Sequence, residues 1–156
     1  MHKNKRPFSS IVKSAEKISE VIGSMPNSFP DALVYLMEYN QLTIENLAEY
    51  SGLGTATIKR LRKNYPLVIN MGTVVRLCVG MRLHSLISME FIKLSPNRFC
   101  PIVKHSLYQE LLLHCCELTD EQCEKALQQI ESILSVAIKL YHLLIPFKNE
   151  YILVFT

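Results

Sequence analysis

The residues of this chain that form the clearest chemical pattern are cations. Lys59, Arg60, Arg62 and Lys63 lie close together, and no acidic residue stands between Glu49 and Lys63. Ammonium and guanidinium groups bind phosphate, and a carboxylate among them would repel it. Because a cationic run is by default a solvated face, it indicates nucleic-acid binding only where an element of the fold presents it outward.

Histidine and cysteine side chains suggest a second kind of site, a metal centre. The candidates are Cys100, His105, His114, Cys115, Cys116 and Cys123. Zinc sites commonly use CxxC or HxxxH spacings, which turn two ligands toward one point. The neighbours Cys115 and Cys116 would instead point about 100° apart on a helix. We therefore expect buried thiols and partly solvated histidines, with no metal and no cofactor.

Catalytic motifs are missing from the sequence. It contains no GxSxG, no GxxxxGK[ST] and no GxGxxG, the patterns that place a nucleophile or bind a nucleotide. The acids interpreted as helix-start or solvated residues are Glu45, Glu49, Glu117, Asp120, Glu121 and Glu124. We expect no catalytic residue and no enzyme activity.

Two short helices are predicted to position the cations. Thr43 can cap the first helix through its side-chain oxygen, and Gly52 can adopt the left-handed conformation that ends it. Thr55 can cap the second helix, whose apolar residues Ile58 and Leu61 share one face. The lysines and arginines fall on the opposite face, so this arrangement turns them toward solvent.

These residues resemble a known motif. Leu47-Ala48, Ser51-Gly52-Leu53 and residues 55–61 resemble the helix-turn-helix of the lambda-repressor-like family, the Cro/repressor or XRE type. The resemblance covers roughly residues 29–95. It implies an all-α, five-helix bundle whose second motif helix enters the major groove of double-stranded DNA.

The predicted DNA contacts fall into two groups. The residues expected to reach base edges are Thr55, Ala56, Lys59 and Arg60. Those expected to contact phosphates are Thr43, Thr57, Arg62, Lys63, Asn64 and Asn70. A guanidinium can hold guanine through two hydrogen bonds, and an alanine methyl can contact a thymine methyl. We assign these roles to Arg60 and Ala56.

The surrounding chain divides into three predicted parts. They are residues 1–28, a basic arm and an N-terminal helix; residues 29–95, the helix-turn-helix domain; and residues 96–156, a C-terminal helical extension. Further helices are predicted at residues 10–22, 30–39, 71–81, 89–94, 103–116 and from 120 to beyond 130, with Asn70, Ser88 and Thr119 as caps. Gly72 and Gly80 are expected to mark close packing. Residues 151–155 have a strand-like composition and no evident partner.

Composition favours a cytoplasmic protein. The chain has 156 residues, 49% of them hydrophobic, a net charge of +3 and five cysteines. The odd number of cysteines and the lack of a secretory signal predict free thiols in a reducing compartment. The longest apolar stretch is interrupted by charges, so no membrane contact is expected.

Sequence-specific DNA binding, in a repressor-like transcriptional regulator, is the function we predict. Such units usually dimerise on two half-sites, and we expect the region after Pro101 to supply or support a homodimer contact. The alternative is a protein-interaction module without DNA binding, such as an antitoxin or an adaptor for a peptidase or toxin. The family often has glutamine where Ile44 or Thr55 stands, and this departure favours the alternative.

Overall fold

The described part of the chain is entirely helical. The computed structural model describes residues 8–63 and 69–133 and contains no strand within them. The helices are α1 (Phe8–Ser24), α2 (Phe29–Tyr39), α3 (Ile44–Ser51), α4 (Thr55–Leu61), α5 (Met71–Gly80), α6 (Ser85–Lys93), α7 (Val103–His114) and α8, described over residues 120–133. The all-α class is confirmed. The predicted basic arm, Asn64 and the strand-like residues 151–155 lie outside the described residues.

Most helix starts follow from local sequence. Side-chain oxygens of Ser28, Thr43, Asn70 and Thr119 accept hydrogen bonds from backbone N–H groups in the first turns of α2, α3, α5 and α8. At Thr119 the bond is reciprocal, because the Gln122 side chain accepts from the Thr119 N–H at 2.8 Å. This capping box satisfies two otherwise unpaired donors. The predicted caps Thr43, Asn70 and Thr119 are confirmed.

Two predicted caps are wrong. The cap of α4 is Gly54, with extended backbone and no side-chain bond, and Thr55 is already the first helical residue. Helix α6 starts upstream of Ser88, where Nδ1 of His84 accepts from the backbone N–H of Leu86 at 3.3 Å. The apolar repeat explains this second error, since Ile87 is buried one turn before Phe91 and draws the preceding residues into the helix.

Helix α5 lies at the centre of the fold. It is apolar on nearly every side and packs against α3, α6 and α7, as expected of a buried helix. Val74, Val75, Leu77, Cys78 and Met81 are all buried.

Two glycines permit close approaches to this helix. A methyl group at Gly80 would lie 2.9 Å from the backbone nitrogen of Ser51 in α3. A methyl group at Gly72 would lie 2.8 Å from the hydroxyl of Tyr108 in α7. The close packing predicted at both glycines is confirmed.

The buried core continues across residue 96, where a boundary was predicted. Phe29 of α2 stacks on Phe91 of α6 with ring centroids 4.7 Å apart, and Tyr108 of α7 and Leu127 of α8 belong to the same cluster of buried side chains. The three-part division of the chain stays a prediction. Val103, at the start of α7, is 69% exposed.

Two helices end at non-glycine residues with left-handed backbone. Gln41 follows α2 with φ of 55°, and Arg82 follows α5 with φ of 52°. In each case the next N–H returns to the helix: Leu42 donates to the carbonyl of Met37 at 2.8 Å, and Leu83 donates to that of Cys78 at 3.0 Å. Glycine usually occupies this position of the Schellman motif.

Membrane-spanning segments are not found in the part of the chain that the structure describes. No helix there combines the length and the apolar character needed to cross a bilayer.

Candidate nucleic-acid interface

Helices α3 and α4 form a pair joined by a tight turn. Gly52 ends α3 with φ of 65°, a left-handed conformation that glycine adopts without steric cost. Leu47 of α3 and Ile58 and Leu61 of α4 are buried. The predicted inner face of the pair is therefore confirmed, and it fixes which side of α4 faces outward.

The outward side of α4 carries the predicted contact residues. Thr55, Ala56, Lys59, Arg60 and Lys63 are all exposed, and we call these five residues the α4 outer face. Within residues 8–63 and 69–133, neither its lysines nor its arginine form an ion pair or a hydrogen bond through the side chain. Among residues 8–63 and 69–133, no side chain neutralises these three cationic groups.

A local effect accounts for some of this charge. Lys59 and Arg60 lie in the last turn of α4, where cations interact favourably with the negative end of the helix dipole. This contribution is small, about 0.3–1 kcal/mol each at an exposed site. The helix dipole therefore gives a structural reason for Lys59 and Arg60. It gives none for Lys63, because the effect fades within the last turn.

The predicted phosphate contacts are dispersed. Thr43 and Asn70 are exposed, and their side-chain oxygens already cap α3 and α5. Thr57 and Arg62 are half-buried, and Nε of Arg62 is buried without an acceptor in the described part of the chain. Asn64 lies outside the described residues. All these contacts stay predictions, as do the base contacts.

Arg76 of α5 ties the helix pair to the C-terminal part of the structure. Its Nε and Nη2 each lie 3.0 Å from a carboxylate oxygen of Glu131 in α8. Its Nη1 donates to the carbonyl of Ser51 at 3.2 Å and to Glu124 at 3.3 Å. Hydrogen bonding to Glu131 is the largest effect that raises the pKa of Arg76. One guanidinium thus joins the end of α3 to α8.

Arg82 holds the connection between α7 and α8. Its guanidinium donates to the carbonyls of Cys115 and Leu118 and pairs with Asp120 at 2.9 Å. Carbonyls at a helix end lack partners inside the helix. Arg82 satisfies them, so its role is to fix the turn that leads into α8.

Sequence reasoning missed both arginines. Glu124 was interpreted as a helix-start or solvated acid; its side chain is 43% exposed, and it also pairs with Arg76. A signal was available for Arg76: it is the only charged residue of the apolar segment that forms α5, and a charge among buried residues needs a partner. For Arg82 the sequence offers no signal, since its left-handed backbone is unusual for arginine.

The buried thiols of Cys78 and Cys115 show little sign of reactivity. All five cysteines are free. Burial raises the pKa of Cys78 and of Cys115 to about 12, so these thiols stay protonated at neutral pH, and the protonated form is a weak nucleophile. Among the described residues no group of three or more potential ligands could hold a metal ion.

Comparison with protein families, curated proteins and solved structures finds no match for this chain.

Proposed function

We propose that this protein binds double-stranded DNA through the α4 outer face and acts as a repressor-like transcriptional regulator of the helix-turn-helix type. In this proposal α4 enters the major groove. Thr55, Ala56, Lys59 and Arg60 contact base edges, and Lys63 contacts a phosphate. The lambda-repressor-like resemblance of residues 29–95 belongs to the same proposal.

One observation carries the proposal: the cations of α4 are exposed and have no carboxylate partner in the described part of the chain. Four of the eight described lysines and arginines outside residues 55–63 are in ion pairs. Arg76, Arg82, Lys93 and Lys125 each pair with an acid. A cluster of unpaired cations on one helix costs repulsion among like charges, and an external polyanion would remove that cost.

Salt dependence of duplex binding tests the proposal. The full chain is titrated with a random-sequence duplex at increasing salt. Each phosphate contact should contribute a slope of roughly −0.9 to the plot of log affinity against log salt. In vitro selection from a duplex library then reports whether a preferred sequence exists. Binding that is absent, or that does not change with salt, would exclude the proposal.

A second candidate function, protein interaction, is favoured by a different surface. Helix α1 and the start of α6 border a groove of about 520 Å³, in which Ile11 is 52% and Leu86 is 57% exposed. Exposed apolar residues grouped in this way are typical of contact surfaces. An antitoxin or adaptor that binds a toxin or a peptidase would use such a groove without needing α4.

The variant Ile11→Ser with Leu86→Ser separates the two functions. It makes the groove polar while leaving the α4 outer face unchanged. If the protein acts by binding DNA, the variant should keep the duplex affinity of the parent chain. If the protein acts only by binding a protein partner, the variant should lose that partner, and neither the variant nor the parent chain should bind a duplex. Light scattering on the parent chain and on this variant measures their molar masses and tests the proposed homodimer.

A further inference from the structure

A second cavity lies on the side of the molecule where α5, α7 and α8 meet. Its volume is about 420 Å³, and its lining includes Gly72 at the start of α5, Lys104 and Tyr108 of α7, and Glu131 of α8. This volume suits a small organic molecule. The cavity shares no residue with the α4 outer face.

The hydroxyl of Tyr108 is the unusual feature of this cavity. The side chain is fully buried, and its oxygen has no hydrogen-bond partner in the described structure. A buried hydroxyl without a partner costs about 1–3 kcal/mol, so such groups usually mark an unfilled polar site. The hydroxyl packs tightly against Gly72, since a methyl there would lie 2.8 Å from that oxygen.

Other groups around the cavity are mostly donors. The ammonium of Lys104 lies 5.4 Å from the centre of the Tyr108 ring. His105 also lines the cavity, and its Nδ1 accepts from the backbone N–H of Cys100 at 2.8 Å. This bond places the proton of the neutral ring on Nε2, which makes that nitrogen a donor.

Two lining groups are acceptors. The side-chain oxygen of Asn70 already accepts from the backbone N–H of Thr73, and the carboxylate of Glu131 opposes an anion directly. Both of its oxygens accept from Arg76 at 3.0 Å, so the guanidinium occupies two of its acceptor positions, although Glu124 shares the charge of that guanidinium. Burial, followed by the nearby charge of Glu131, raises the pKa of Tyr108. The hydroxyl therefore remains protonated and able to donate.

We propose that this cavity binds a small anion, either a carboxylate or a phosphate, with the hydroxyl of Tyr108 and the ammonium of Lys104 as its principal donors. The start of α5 contributes its positive end to the same site. Such a site does not require DNA binding by α4, because its lining contains no residue of the α4 outer face. A ligand here would lie beside Glu131, which Arg76 connects to the carbonyl of Ser51 at the end of α3.

Three probes identify the ligand chemistry on the full chain labelled with ¹⁵N. Benzoate presents a carboxylate, inorganic phosphate presents a phosphate, and benzyl alcohol is an uncharged match for benzoate. We expect benzoate or phosphate to shift the amide signals of Gly72 and His105 saturably, with a dissociation constant below about 10 mM. Saturation by only one of them tells a carboxylate site from a phosphate site. The proposal is overturned if neither anion saturates these signals, or if benzyl alcohol binds as tightly as benzoate.

Two matched pairs of variants assign the donors. Tyr108→Phe removes only the hydroxyl and should weaken anion binding about tenfold, whereas Tyr35→Phe, on α2, should not. Lys104→Gln should weaken it similarly, whereas Lys125→Gln, on the outside of α8, should not. Equal affinities within either pair contradict the assignment.

Thermal unfolding without any anion separates binding from a purely structural role. Because the hydroxyl of Tyr108 has no partner, Tyr108→Phe should melt at the same temperature as the parent or higher. A lower melting temperature would mean that the hydroxyl has a structural partner, and it would overturn the premise of an unfilled site.

Discussion

Two neighbouring helices use their cations in opposite ways. On α4, Lys59, Arg60 and Lys63 are exposed and have no acidic partner among the described residues. In and after α5, Arg76 and Arg82 are tied to carboxylates and backbone carbonyls of other helices. The same residue type thus holds the fold together in one place and remains available in the other.

This difference shows that net charge says little about ligands. The chain carries 17 basic and 14 acidic residues, a balance that neither demands nor excludes nucleic acid. What distinguishes α4 is that several exposed cations are grouped there without a described partner. Substitutions of the paired arginines in and after α5 should therefore lower the free energy of unfolding. Substitutions of the α4 cations should instead lower the affinity for DNA.

The largest effect is expected from Arg76→Ala. It removes the bond to Ser51 and leaves Glu124 and Glu131 without their shared cation, while the side chain it deletes is only 13% exposed. Breaking such a pair should lower the free energy of unfolding by about 2–3 kcal/mol. The value lies below that for a fully buried pair because the carboxylates are 40–43% exposed.

Urea denaturation of the full chain measures this effect, and Arg60→Ala is its control. Arg60 has no described side-chain partner, so its removal should cost no more than its helix-dipole contribution, about 0.3–1 kcal/mol. If both variants lose the same stability, the distinction between paired and unpaired cations fails.

Arg60→Ala should act on DNA binding instead. Loss of a guanidinium that contacts guanine costs about 1–3 kcal/mol of affinity and relaxes the preference at one base pair. Competition between selected and random duplexes measures both quantities. An affinity that drops without any change in sequence preference would reassign Arg60 to a phosphate.

These two arginines also mark how far sequence reasoning reached. Ile58 and Leu61 are spaced by one helical turn, and their burial fixes the outward direction of Arg60; local periodicity was enough to predict that face. The partners of Arg76 lie 48 and 55 residues further along the chain, and no local pattern encodes a contact at that separation. The apolar surroundings of Arg76 could have indicated that a partner exists, but not which one.

Helix boundaries show the same limit at shorter range. The caps Thr43, Asn70 and Thr119 were predictable because a side chain bonds to its own first turn. Gly54 has no side chain to signal that α4 starts there, and Ser88 has the right composition for a cap but is buried within α6. The cavity at Tyr108 was not predictable, because three helices from distant parts of the sequence form it.

Lys63→Ala should have a smaller effect than Arg60→Ala and one of a different kind. A phosphate contact carries no sequence information, so affinity for all duplexes should fall alike, by about 1 kcal/mol. The salt slope should become shallower by roughly 0.9. Lys93→Ala, which removes a lysine paired with Glu90, is the control and should leave the slope unchanged. A loss restricted to one sequence would contradict the phosphate assignment.

The smallest effect tests whether Arg82 belongs with the structural cations. Gln41 and Arg82 have the same left-handed backbone, which glycine adopts with less strain by about 1 kcal/mol. Gln41 makes no side-chain bond in the described structure, so Gln41→Gly should stabilise the protein by about 0.5 kcal/mol despite the greater freedom of glycine when unfolded. Arg82→Gly relieves the same strain but loses the bonds to Cys115, Leu118 and Asp120. It should therefore destabilise by about 0.5–1 kcal/mol. Urea denaturation of the two variants side by side gives opposite signs if the guanidinium of Arg82 stabilises the turn into α8, and the same sign if backbone strain alone governs both positions.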